Sequence, residues 1–102
     1  MTDSPVTFIA HFTIVDRDRY KTYVKGFFPL LEAHGGRFRT YDDAVVVLEG
    51  TPEAGRTVLI DFDSEDQLLN WWNSDEYRVL AGIRHESCVT HSVSVVHSSQ
   101  SS

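Results

Sequence analysis

Residues 57–84 read TVLIDFDSEDQLLNWWNSDEYRVLAGIR, and this stretch decides the fold. Thr57 to Phe62 is an apolar run with one acid inside it, the pattern of a strand buried on at least one face. Side chains alternate along a strand, so Val58, Ile60 and Phe62 share one face and Thr57, Leu59 and Asp61 the other. Ser64 and Gln67 have capping-box spacing, and Glu65 and Asp66 place acids where the helix dipole favours them. Leu68, Leu69 and Trp72 then fall on one helical face. Asn73-Ser74 interrupts the pattern. Ser74, followed by Asp75 and Glu76, reads as a second N-cap. Tyr77, Leu80, Ala81 and Arg84 follow at i, i+3, i+4 and i+7, a second amphipathic stripe.

Upstream, Met1 to Pro5 reads as a loose end. Val6 to Val15 is rich in β-branched and aromatic residues and predicts a first strand. Phe8, Ala10, Phe12 and Ile14 face one way; Ile9, His11, Thr13 and Val15 face the other. Asp16 is a good N-cap for a helix reaching about His34, with Tyr20, Tyr23, Val24, Phe27 and Leu31 as its apolar stripe. Pro29 has no N–H to give Lys25, so a kink or break is expected near Phe27–Pro29. Gly35-Gly36 ends the helix. Arg37 to Tyr41 alternates as a strand, Asp42-Asp43 is a turn or bulge, and Ala44 to Glu49 is expected to continue as strand. Gly50 to Arg56 is read as a hairpin loop. Cys88 to Val96 is the last strand, with Val89, His91, Val93 and Val95 on one face. His97 to Ser102 gives no reason for order, and one domain is expected over residues 6–97 with a Ser-rich tail over 98–102.

The order β-α-β-β-α-β predicts an α+β, ferredoxin-like sandwich. Right-handed crossovers put the first and third strands in the centre of a four-stranded antiparallel sheet. Helices cover one face. The other carries Ile9, Val15, Val47 and Leu59 among His11, Thr13, Arg37, Arg39, Glu49 and Asp61. That mixture is too apolar for water and too polar for an ordinary core, so a second subunit is the simplest cover.

Composition narrows the function classes. The formal net charge is -6, which argues against a nucleic-acid partner or an anionic membrane surface. The single cysteine, Cys88, permits no internal disulfide and suggests a reducing compartment, so a soluble cytoplasmic protein is expected. No targeting segment or apolar run of transmembrane length appears. The five histidines show no metal-ligand spacing, and neither a metal nor a cofactor is expected. The strongest chemical constellation is His11, Thr13, Arg37, Glu49 and Asp61. His11 would be a general base, Asp61 its orienting partner, and Arg37 or Tyr77 the polar anchor for a ligand. Trp71, Trp72, Tyr77, Tyr20 and Tyr23 could instead line an aromatic pocket or simply be core. Arg37, Arg39 and Glu49 suit an ion-pair network at a subunit interface equally well.

With these residues placed, the chain resembles the family catalogued as domain of unknown function 1330, within the dimeric α/β-barrel superfamily. The resemblance rests on Ile9-Ala10-His11 leading to Asp16 and the Tyr20/Tyr23 pair, on Pro29-Leu30-Leu31 before Gly35-Gly36-Arg37, on Leu48-Glu49-Gly50, and on Trp72 to Tyr77. Asp61 stands where relatives more often have Glu, and Asp75 where they often have Pro. The resemblance implies a homodimer whose sheets face each other in a barrel, and no particular reaction. Other superfamily branches include cofactor-independent monooxygenases, isomerases and haem-degrading enzymes. The Asn, Trp and His set of the haem branch is not matched here. Two readings follow: a small-molecule-binding protein with a pocket between helices and sheet, which includes a cofactor-free enzyme, and a non-enzymatic dimeric module.

Overall fold

The computed structural model describes residues 4–99; of the expected loose end over residues 1–5 and the Ser-rich tail over 98–102, residues 1–3 and 100–102 lie outside the described residues. The elements are β1 (Val6–Ile14), α1 (Arg17–Ala33), β2 (Arg37–Asp42), β3 (Arg56–Phe62), α2 (Glu65–Trp72), α3 (Asp75–Ser87) and β4 (Cys88–His97). The four strands form one antiparallel sheet in the order β2-β3-β1-β4. The first and third strands are central, as the crossover rule requires.

The helix starts follow the capping chemistry. Asp16 accepts from Arg19 N, Ser64 from Gln67 N and Ser74 from Tyr77 N, at 3.0, 3.1 and 3.1 Å. The Gln67 side chain reaches back to the amide of Asp63, one residue before the cap (2.8 Å). Each bond satisfies an amide that the helix itself cannot. α1 ends at Ala33, and Gly35, just past the His34 cap, takes a φ of +79°, the left-handed conformation that favours glycine.

One face of the sheet is packed against the helices. Val6, Phe8, Ala10, Phe12, Val58, Ile60 and Phe62 point into that layer and meet Tyr23, Phe27 and Leu31 of α1. Trp71, at 0% exposure, is its centre. Its indole lies edge-on to Phe8 at 5.3 Å and close to Tyr77 at 4.4 Å between centroids. Trp71, more than the expected Trp72, is the residue that α2 drives into the core; Trp72 is half-buried.

Several expectations need correction. Ala44 to Glu49 is not a strand: β2 stops at Asp42, and residues 43–55 form a loop. A run of β-branched residues such as Val45–Val47 does not pair unless a neighbouring edge accepts it, and the segment meets none among the described residues. Val46 and Leu48 are consequently 82% and 90% exposed. Val15 also lies beyond its strand, so neither it nor Val47 and Glu49 joins the sheet face. α1 continues through Pro29 without a break. β4 extends to His97, a residue of the expected unordered tail, and its Nε2 meets Glu65 Oε1 at 2.6 Å.

Both edge strands carry a bulge. In β2 the register slips between Phe38 and Thr40, leaving Arg39 as the extra residue. In β4 it slips between the partners of His11 and Phe12, Ser92 and Thr90, leaving His91 as the extra residue. An extra residue reverses the facing of everything beyond it. Tyr41 therefore opposes Val58 on the helix-covered side, and Thr90 opposes Phe12 there. The expected alternation placed His91 with Val93 and Val95. The bulge instead sets its ring beside His11, 5.1 Å between centroids, on the open face.

Candidate functional site

The open face holds most of the polar residues singled out from the sequence, and they are occupied with one another. Asp61 accepts from Thr7 Oγ1 at 2.8 Å and takes a two-pronged ion pair from Arg39, at 2.9 and 2.6 Å. The Arg39 hydrogen bonds, followed by that of Thr7, hold the Asp61 carboxyl below the usual carboxylate range. Asp61 does not reach His11. It sits opposite Thr7 in the register, four residues from His11, or about 13 Å along a strand. The expected His11–Asp61 pair is therefore not formed.

His11 is engaged by the 43–55 loop and its neighbour strand. Its Nε2 donates to the Glu53 carbonyl at 2.6 Å, and its Nδ1 lies 3.2 Å from Thr57 Oγ1, which can donate to it. Thr13 donates to the Ala54 carbonyl at 2.6 Å and lies 2.8 Å from His91 Nε2. Gly55 permits this close return of the loop, since a Cβ there would stand 2.5 Å from the Phe12 carbonyl oxygen. Arg37 pairs with Asp63 at 2.9 Å, and Glu49 lies in the exposed loop. Of the expected constellation, the structure brings His11 and Thr13 together. It leaves Asp61, Arg37 and Glu49 apart from them.

On the opposite side of the sheet lies a cavity of about 200 Å³ between α1, α3 and the strands. Tyr23 and Phe27 of α1, Phe12 and Ile60 of the central strands and Tyr77 of α3 form its walls. Phe38 and Tyr41 close its β2 side, Tyr41 because the bulge at Arg39 turns it inward. Trp72 is not a wall residue; it stacks behind, against Tyr77 at 5.3 Å. Tyr23 and Tyr77 share a hydrogen bond between their hydroxyls at 2.9 Å. Burial pushes the Tyr23 phenol well above its ordinary pKa, so it stays protonated. Burial also raises that of Tyr20.

Two arginines reach this cavity. Arg56 is neutralised by Asp43, with Nε–Oδ1 at 2.7 Å and Nη2–Oδ2 at 3.0 Å, and its guanidinium lies 4.2 Å from the centroid of the Tyr41 ring. The bond to Arg56 draws the Asp43 carboxyl below the usual range. Arg84 is different. It is only 4% exposed. Its Nη1 donates to Thr90 Oγ1 at 2.8 Å and its Nη2 lies 3.3 Å from His85 Nε2. Its Nε has no hydrogen-bond partner among the described residues, and no carboxylate there pairs with it. The face of Trp72 at 5.9 Å and the carbonyls at the C-terminal end of α3 offset part of the charge. An unpaired buried ion otherwise costs on the order of several kcal/mol. Sequence reasoning placed Arg84 on the helical stripe without giving it a role. The available signal was a basic residue at a position whose i−3 and i−7 neighbours are apolar.

Among the described residues, no three His, Cys, Asp or Glu side chains come together to hold a metal ion. Cys88 is buried, and burial pushes its thiol up, away from a reactive thiolate. No helix among the described residues is long and apolar enough to cross a membrane.

These features define a small α+β protein of ferredoxin-like fold with an aromatic chamber between its helices and its sheet. The sequence profile of the family described as "Domain of unknown function (DUF1330)" matches residues 5–98, and the chain belongs to that family. No curated protein matches the sequence. Among solved structures it is similar to a protein of unknown function from Rhodopseudomonas palustris, with TM-score 0.75 and 12% identity over 99% of this chain and 85% of that one. It is similar to SnoaB, a cofactor-independent oxygenase from Streptomyces nogalater, with TM-score 0.68 and 11% identity over 96% of each chain. A dimeric ferredoxin-like protein of unknown function from Thermobifida fusca gives TM-score 0.58 and 15% identity, over 98% of this chain and 94% of that one. At these identities the likeness establishes the fold.

Proposed function

We propose that this protein binds a small organic molecule in the chamber between its helices and its sheet. The observation that carries this is the chamber itself: aromatic walls, buried phenols and two guanidinium groups around one cavity. Binding sites for small molecules combine an apolar lining with a few placed polar groups. The oxygenase from Streptomyces nogalater is cofactor-independent by its description, and cofactor-free oxygenation is the reaction class this reading would favour. The expected His11 base and Asp61 belong to the opposite face of the sheet, so the chamber chemistry would fall to Tyr77, Tyr23 and the arginines. The test is native mass spectrometry on freshly purified protein, followed by a thermal-shift screen of small aromatics. A retained mass, or stabilisation that is lost on Tyr77→Trp, supports the reading. A chain that carries nothing and responds to no compound counts against it.

A second reading concerns the open face, and it has its own observation. Ile9 and Leu59 are left half-covered there, and Val45 to Leu48 are exposed in the loop after β2, Val45 and Val47 lying near His11 and Thr57 of the same face. We propose that a second copy of the chain covers this surface as a homodimer, which would also give the Val45–Leu48 segment an edge to pair with. Sedimentation of the wild type and of Leu59→Arg checks it: a dimer that Leu59→Arg splits is expected, and a monomeric wild type at micromolar concentration refutes it. The buried, unreactive cysteine agrees with a cytoplasmic home, which we propose on that ground.

A further inference from the structure

We infer that the chamber takes a small aromatic carboxylate, with its acid group on Arg84. The inference rests on the proposed binding role of the chamber and adds the chemistry of the ligand.

Three observations lead to it. The first is charge. The two arginines at the chamber differ in one respect, since Arg56 already holds Asp43 through two bonds while Arg84 pairs with no carboxylate among the described residues. A guanidinium is a permanent cation with donors only. Arg84 lines the chamber, is 4% exposed, and has an Nε with no partner among the described residues. A buried cation in that condition is complementary to an anion that arrives from outside.

The second is the sense of the hydrogen bonding. The polar side chains at the chamber are the two arginines and the phenols of Tyr20, Tyr23, Tyr41 and Tyr77. In the Tyr23–Tyr77 pair one hydroxyl hydrogen is used and the other is left to donate. The wall therefore offers donors, and a ligand rich in acceptors matches it. An amine or a guanidine would meet the Arg84 charge with its own.

The third is size and shape. The chamber measures about 200 Å³. An apolar cavity of about 150 Å³ admits benzene, so one ring with a short acidic substituent fits and a large polycycle does not. The rings of Tyr23, Phe27 and Phe38 give that ring edges and faces to lie against. Entry is from the rim where Phe28 and Tyr41 are 45% and 52% exposed.

The test compares benzoate with benzamide, which share a shape and differ in charge, by titration calorimetry near neutral pH. Benzoate is expected to bind the wild-type protein at least about tenfold more tightly, the advantage of a charge-assisted contact. Arg84→Met should remove that preference and leave the benzamide affinity within about threefold. The Arg84 Nε–H resonance of the wild-type protein should also shift with benzoate and not with benzamide, a readout that does not depend on the variant folding. Equal affinities in the wild type, or a preference that survives Arg84→Met, overturn the inference and leave the chamber reading standing. Failure of both compounds to bind at millimolar concentration overturns the chamber reading and the inference with it.

Discussion

On the open face of the sheet, Asp61 is bound by Arg39 and Thr7, His11 by Glu53 and Thr57, and Thr13 by Ala54. On the helix-covered face, one layer of backbone away, Arg84 is more deeply buried than any of them and has no counter-charge among the described residues. The two faces are made by alternate residues of the same strands. Their difference shows that a cluster of polar residue types is weak evidence of a site, because such residues satisfy each other wherever they meet water. A polar group that burial has made costly, and that its neighbours leave incompletely paired, is the stronger indication.

Mutations can break or sharpen that contrast. The largest effect belongs to the covered face. Trp71→Ala should cost about 3–5 kcal/mol in denaturant unfolding, since it removes the largest fully buried side chain of the core. His11→Ala on the open face should cost no more than about 1 kcal/mol in the same experiment. Near-equal losses would erase the distinction between the faces. Next, Arg84→Met should leave stability unchanged or raise it by about 1–2 kcal/mol, because an apolar side chain of similar length replaces an incompletely compensated ion. A large loss would instead make Arg84 a structural cap of α3. Tyr23→Phe should cost about 1 kcal/mol by leaving the Tyr77 hydroxyl without its partner.

The smallest effect concerns the loop latch. Asp43 has its folded pKa depressed by Arg56, so the stability it contributes is present above the unfolded carboxylate value, about 3.9, and is lost as pH falls through the folded value. Solvent screening keeps that contribution at or below about 1 kcal/mol. Limited proteolysis of the 43–55 loop should therefore be flat from neutral pH to about 5 and rise only below about 4. Asp43→Asn should raise cleavage at neutral pH and flatten the acid limb. A wild-type loop whose cleavage already rises between pH 7 and 6 would show that the Asp43–Arg56 pair is not what latches it.

Much of the fold was legible in the residues. Alternation along Val6–Ile14 and Thr57–Phe62 set the two faces of the central strands correctly, since a strand flanked on both sides has little freedom to slip. Asp16, Ser64 and Ser74 marked the helix starts because capping is a local bond. The site was less legible. The sequence put Asp61 and His11 on one face, which is true, but not at one height, because cross-strand register depends on both partners. It also read Ala44–Glu49 as strand from its β-branched residues, yet pairing needs an edge, and propensity says nothing of where an edge is.

By itself, then, the sequence determined the element order, the apolar faces, the helix caps and the central strand pair, all of them set by interactions a few residues long or by strict alternation. The tertiary structure alone decided the two edge-strand bulges. Each inserts one residue and reverses the facing beyond it, bringing Tyr41 to the chamber and Thr90 under Arg84. Edge strands are held on one side only, so a slip there costs little backbone pairing, and the packing of the helices above them chooses the register.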